Sequence, residues 1–236
     1  MYICLLLKIL VSPVRFLVVP LENQRLAEMQ AVFCFPSRSF SFIICVMMET
    51  GQDEVRREAP ALCTRRLLLR AFAESDAGAL YACCRNPLLG DNAGWKPHSS
   101  PGESRRVLEE VFLRRPTTWA VTDGGTGRLV GAVGLLPDPK RECPGVAMLG
   151  YWLDEACWGR GLMTEAARAV VGYGFSQLGL EMVTATCYPH NERSRRVLER
   201  LGFRFEGVIH RAVQDHRGVV SDLCSFYLPR DIRRNE

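Results

Sequence analysis

The sequence predicts an α/β fold: a mixed sheet with helices on both of its faces. Three observations point there. From residue 64 onward, short bounded apolar runs alternate with segments of helical spacing, and the order reads β-α-α-β-β-β-α-β-α-β-β. Helix-start and helix-stop residues fall between the runs. No internal repeat or low-complexity tract interrupts the pattern.

"RRLLLRAF" (65–72) is short, apolar and bounded, hence a strand. "ESDAGALYACCRN" (74–86) opens on capping residues and places Ala77, Leu80, Tyr81 and Cys84 on one stripe, hence a helix. "LGDNAGWKPHSS" reads as a polar loop. Ser100, Pro101 and Glu103 then supply an N-cap, a first-turn proline and an acid three beyond the cap, starting a helix to about Arg114. "TTWAVTD" and "RLVGAVGLL", joined by "GGTG", form a hairpin. "GVAMLGYWLD" (145–154) is a further strand. Met163, Ala167, Val170, Val171, Gly174, Phe175 and Leu178 follow at helical spacing, with Gly179 as the stop. "EMVTATCYP" (181–189) is a strand, "NERSRRVLERLG" (191–202) a helix, and two last strands fall near 203–213 and 219–228.

At 236 residues, 47% hydrophobic and 24% charged, the chain is long enough for one substantial domain and a tail. The net charge of +4 is spread out, unlike the basic stripe of a nucleic-acid binder, so nucleic acid is not the expected partner. Ten cysteines without a CxxC pair and four histidines without an HxxxH pair argue against a metal. Scattered thiols of this kind fit a reducing, cytoplasmic compartment.

Residues 1–46 differ in composition: 30 of the 46 are hydrophobic, with four basic and two acidic residues. Lys8, Pro13 and Arg15 break any signal-peptide core, and the longest apolar runs, seven residues each, are too short to span a bilayer. Two readings stand: a segment outside the working protein, with translation starting at Met47, or a peripheral membrane-associating stretch. The expected organisation is an extension over 1–46, a polar leader over 47–61, a folded domain over 62–230 and a polar tail over 231–236. No stable membrane association is expected, and the domain is expected to be a monomer or homodimer.

"WGRGLMTEA" (158–166) places Gly159 and Gly161 where a strand turns into a helix. Such a loop directs backbone N–H groups inward, and the helix adds four unpaired N–H groups and its positive dipole end. Together they suit a phosphate or pyrophosphate. Gly161 stands where the chain most needs freedom to turn or closeness to a ligand. The stretch lacks the Lys-Ser/Thr of a P-loop, and Thr164 stands where a dinucleotide fold needs a third glycine.

The stretch resembles the acetyl-CoA pyrophosphate loop of the GNAT superfamily of N-acetyltransferases, whose pattern [QR]xxGx[GA] falls here on Trp158, Gly159, Arg160, Gly161, Leu162 and Met163. "YWLDEACWGRGLMTEA" is similar to the variant of the ribosomal-protein N-terminal alanine acetyltransferase (RimJ/RimL-type) branch, with Trp and Met in those places. "TRRLLLR", "GWKPHSS" and "NERSRRVLERLGFRFEG" agree with it, so the resemblance covers roughly 62–228. It implies a mostly antiparallel central sheet and direct acetyl transfer from acetyl-CoA to a primary amine, with no metal. The acceptor it implies is a protein N-terminal α-amine or a small molecule such as a polyamine, amino acid or antibiotic. A CoA-binding sensor without turnover is the alternative from another class.

By the same resemblance, the main chain near Trp152 and Leu153 faces the pantetheine arm, and the amides of 159–164, through Thr164, hold the pyrophosphate. Arg160 either adds a charge contact or is solvated. Many relatives carry an acidic Tyr where this chain has Leu198. Helical spacing instead turns Ser194 inward with Val197, Leu198 and Leu201. The branch has an Asn-x-x-Ser pattern there, matched by Asn191 and Ser194, with Ser protonating the departing thiolate; capping by Asn191 is the plainer alternative. The general base stays open: the family's place for a carboxylate falls near Val213, with Glu206, Asp215 and Asp222 nearby, and a water would serve as well. Glu165, in a first helical turn, is assigned no chemistry. Trp95 and His98 are candidates for the acceptor side or for loop anchors. Cys187, at the end of its strand, is a weak candidate for an acetyl-cysteine route.

Overall fold

A computed structural model of the protein describes residues 59–141 and 143–230. The expectations for the 1–46 extension, for 47–58 of the leader and for the 231–236 tail lie outside these residues. Eight strands form one sheet in the order β1-β2-β3-β4-β5-β6-β8-β7: Leu62–Cys63 (β1), Leu67–Arg70 (β2), Thr118–Asp123 (β3), Leu129–Pro137 (β4), Val146–Leu153 (β5), Met182–Cys187 (β6), Arg204–Gln214 (β7) and Val220–Pro229 (β8). Every neighbouring pair is antiparallel except β5 and β6. That one parallel pair needs a crossover, and the helix Leu162–Ser176 (α4) provides it.

Helices cover both faces, as the alternation predicts. On one face α4 and Glu192–Arg200 (α5) pack through Leu162, Met163, Ala166, Val170 and Leu198 against Leu69, Trp119, Val133, Leu149 and Phe226. On the other, Ala77–Cys84 (α1), Pro87–Ala93 (α2) and Pro101–Val107 (α3) pack through Leu80, Leu89, Ala93 and Val107 against Ala120, Ala132 and Trp152. Flanked on both sides, β3 and β4 are buried almost throughout, which explains their nearly continuous apolar sequence. Gly174 lets α4 lie close to the sheet: a Cβ there would come within 2.8 Å of Leu135 Cδ1 and 3.0 Å of Leu180 Cδ1.

Three local differences from the sequence reading have physical causes. The first strand is instead a hairpin, β1 and β2, because Thr64 turns the chain: its N–H donates to Leu67 O (2.9 Å) and its hydroxyl accepts from Leu67 N (3.1 Å). The loop after α1 contains α2, with Asn86 as N-cap accepting from Leu88 N, Pro87 in the first turn and Gly94 in the left-handed conformation at the end (φ 79°). The second predicted helix begins on Ser100 as expected, but past Val107 it widens into a π-helical turn, Leu108–Phe112. Among the described residues no helix is long and apolar enough to cross a membrane.

Candidate active site

Pairing between β5 and β6 covers only Val146–Met182, Ala147–Val183 and Met148–Thr184. From Leu149 on, β5 stays paired to β4 alone, and its β6-facing edge opens. A cavity of about 320 Å³ occupies the opening, walled by Tyr151, Trp152 and Leu153 of β5, Trp158, Gly159 and Gly161 to Thr164 of the following loop and helix start, one face of the α5 region from Asn191 to Arg200, and Leu89, Asn92 and Ala93 of α2. Near Gly161, Thr164 and Arg200 it meets a shallower outer cavity of about 570 Å³.

The glycines set the loop. Gly159 (φ 74°) and Gly161 (φ 73°) are both left-handed, and Gly161 is the N-cap of α4 without any side-chain cap. The first-turn N–H groups of a fifteen-residue helix thus open on the cavity with no capping side chain of their own. Arg66 braces the loop from the β1–β2 turn: its guanidinium donates to Glu165 Oε2 (2.8 Å) and to Arg160 O (3.0 Å), and its backbone N–H to Glu165 Oε1 (2.9 Å). Burial alone would raise the Glu165 carboxyl, but the Thr64 hydroxyl, the Arg66 N–H and the guanidinium together hold it below the usual carboxylate range. Glu165 is therefore a brace.

The residues expected to hold the donor mostly meet here. Trp152, Leu153, Trp158, Gly159, Gly161, Leu162, Met163, Thr164, Asn191 and Ser194 all line the cavity. Arg160 does not; it is exposed, and its carbonyl is what Arg66 grips. Trp158 donates its indole N–H to Leu153 O (2.8 Å), and the Arg193 guanidinium lies 4.7 Å above its ring, joining loop to α5 across the cleft. Asn191 both caps, accepting from Ser194 N (3.0 Å), and bridges, donating to Asn92 O (3.0 Å). Two of the buried side-chain atoms without a hydrogen-bond partner, Trp152 Nε1 and Thr164 Oγ1, belong to lining residues.

Ser194 faces the cavity, as helical spacing predicts. Its Oγ is 2.9 Å from the hydroxyl of Tyr151, which also lies 3.2 Å from Ser194 O. Burial raises the Tyr151 phenol above its usual value, and the Ser194 contact only partly offsets this, so the phenol stays protonated at any working pH.

The expected acceptor residues are dispersed. Trp95 is buried (2% exposed), edge-on to Trp152 at 6.3 Å, and belongs to the core rather than the cavity wall. His98 is also buried, with Nδ1 2.7 Å from Ser104 Oγ. Glu206 pairs with Arg141 and Ser225, Asp222 with His210 and the Arg211 N–H, and Asp215 holds the β7–β8 turn through Arg217 and Val219. None of the three lines the cavity; among the described residues no carboxylate does, whereas Arg193, Arg196 and Arg200 do. Cys187 is buried, and burial pushes its thiol up to about 12, the opposite of an activated nucleophile.

Sequence reasoning missed Tyr151, Arg66 and the α2 wall. Strand alternation carries the first, since Tyr151 shares the inward face of Leu149 and Leu153. The Asn-Pro start and glycine stop carry the third. Only the tertiary approach of residue 66 to residue 165 reveals the second.

The model of the acetyltransferase (GNAT) domain family matches residues 66–204. The uncharacterized N-acetyltransferase YoaA of Bacillus subtilis (strain 168) is 31% identical over 179 residues, covering 73% of this chain and 99% of that protein. The [ribosomal protein uS5]-alanine N-acetyltransferase of Escherichia coli (strain K12) is 41% identical over 145 residues, covering 51% of this chain and 74% of that one. Among solved structures, a GNAT-family acetyltransferase from Bacillus anthracis superposes with a TM-score of 0.64 at 22% identity, covering 72% of this chain and 98% of that one, a likeness of fold.

Proposed function

Because the chain belongs to the GNAT acetyltransferase family, we propose that it transfers the acetyl group of acetyl-CoA directly to a free α-amine, with a protein N-terminus as acceptor. The residues fit the donor. The open edge of β5 at Trp152 and Leu153 suits an amide-bearing pantetheine arm, and the uncapped start of α4 suits the pyrophosphate. Arg193, Arg196 and Arg200 add positive charge along the same groove.

The observation that carries the acceptor class is that, among the described residues, those lining the cavity include three arginines and no carboxylate. With no carboxylate there to take its proton, the amine reacts as the neutral form that reaches the cavity. An α-amine, with a pKa of about 8, is neutral roughly several hundred times more often at pH 7 than an amine near 10.4. The lining arginines further disfavour polycations such as polyamines and aminoglycosides. The Escherichia coli relative, whose name assigns it the alanine of ribosomal protein uS5, supports a protein acceptor.

Positioning does most of the work, since holding amine and thioester in contact removes the entropy of their meeting. The amine attacks the thioester carbon, the C–S bond breaks, and Ser194 gives its proton to the sulfur. The nitrogen's surplus proton leaves through water. Cys187, buried and protonated, carries no acetyl group.

The test is CoA release from acetyl-CoA over N-terminal peptides, polyamines, amino acids and aminoglycosides. Peptides should react, with a rate that rises with pH and levels off near the α-amine pKa. Release with polyamines alone, or acetyl-CoA binding without release on any acceptor, would overturn the reading; the second result would favour a sensor.

A further inference from the structure

A tyrosine hydroxyl reaches the site from β5, beside the first turn of α5. Tyr151 Oη lies 2.9 Å from Ser194 Oγ and 3.2 Å from Ser194 O, and both side chains line the cleft. We propose that Tyr151 is a positioning residue for Ser194, giving its single O–H to Ser194 Oγ, the shorter contact, in preference to the Ser194 carbonyl, so that the serine proton is left to point at the departing sulfur. The inference rests on the acetyl-transfer reading.

Such a partner serves the chemistry. A serine hydroxyl is a weak acid, and as its proton moves to sulfur its oxygen gains negative charge. An O–H donor fixed on that oxygen stabilises the charge as it develops and leaves one lone pair fewer to misdirect the proton. Burial keeps the phenol protonated, so the donor is present at every working pH. In the balanced step, the nitrogen lone pair forms the C–N bond and the sulfur departs with the C–S pair. Sulfur takes the proton of Ser194, and the proton shed by nitrogen returns to Ser194 through water. Tyr151 begins and ends with its own proton.

The experiment compares Tyr151→Phe, Ser194→Ala and the double variant in the full chain, using the best peptide acceptor, with melting and acetyl-CoA binding measured for each. Tyr151→Phe should lower kcat about tenfold and leave KM for acetyl-CoA unchanged, and Ser194→Ala should lower kcat further. The double variant should be no slower than Ser194→Ala, because Tyr151 acts only through Ser194. Independent, multiplying losses would overturn the proposal, as would an unaffected Tyr151→Phe or one slower than Ser194→Ala, which would make the phenol the acid itself. If Tyr151→Phe melts early, 3-fluorotyrosine at position 151 keeps the ring and strengthens the donor. It should then change kcat in the wild type and not in Ser194→Ala; an equal change in both would overturn the proposal. A wild type that releases no CoA overturns this proposal and the acetyl-transfer reading together, whereas normal wild-type turnover with an indifferent Tyr151 overturns this one alone.

Discussion

At the residue scale, two side chains with similar intrinsic chemistry take opposite parts because of where they sit. Ser194 stands in the first turn of α5 with its hydroxyl at the cavity, while Cys187 is the last residue of β6, buried, with its thiol pushed up to about 12 by burial. An acetyl-cysteine route needs a thiolate, so Cys187→Ala should retain at least half of wild-type turnover. In the native enzyme, iodoacetamide should label the exposed Cys63 and Cys143 among the described cysteines and spare Cys187. Early labelling of Cys187, or loss of turnover in Cys187→Ala, would contradict direct transfer. The inward face of Ser194 was legible because helical spacing fixes which residues share a face, whereas Asn191 was singled out by the resemblance's Asn-x-x-Ser pattern and by its capping position. Glu206, Asp215 and Trp95 were not, because proximity in sequence says nothing of which partner a side chain finds. Arg141 takes Glu206, Arg217 takes Asp215, and Trp95 goes into the core against Trp152.

At the scale of elements, the loop and first turn of α4 work as a unit held from below. Gly161→Val places a β-branched residue at φ 73°, which costs on the order of 1–2 kcal/mol. A Cβ there meets nothing closer than Arg66 Nη2 at 3.8 Å, so the variant should fold and yet lose acetyl-CoA binding, measured by calorimetry. Normal binding would refute the loop assignment. Arg66→Ala removes the brace while leaving every lining residue in place. It should raise KM for acetyl-CoA about tenfold, or ~1.4 kcal/mol, with kcat little changed. Glu165 also links the brace to pH. Its folded pKa is depressed, so its stabilisation is complete above the unfolded carboxylate value near 4.3 and fades as pH falls through the folded value. In thermal melts, Glu165→Gln should be less stable than wild type above about pH 5, and the gap should close on acidification. A gap constant from pH 7 to 3 would mean the carboxylate's charge contributes nothing. The glycine loop was readable because strand, turn and helix are contiguous in sequence. Arg66 and Glu165, 99 residues apart, meet only in the folded chain.

Across the whole molecule, one topological feature makes the site: the single parallel pair, β5 with β6, in an otherwise antiparallel sheet, whose pairing stops after three residues. The strands and crossover helix were legible because strands buried on both faces read as apolar runs and α4 as an apolar stripe. The premature end of the ladder was not, since side-chain periodicity carries no record of where two strands part. The central claim joins this opening to the proposed reaction: a donor groove with no carboxylate among its described lining residues, proposed to receive a neutral α-amine. The most direct measurement is tandem mass spectrometry of a peptide bearing both a free N-terminus and an internal lysine, after incubation with acetyl-CoA and enzyme at pH 7.5. Acetyl on the α-amine alone is the predicted result; acetyl on the lysine, or on neither amine while acetyl-CoA binds, would contradict it.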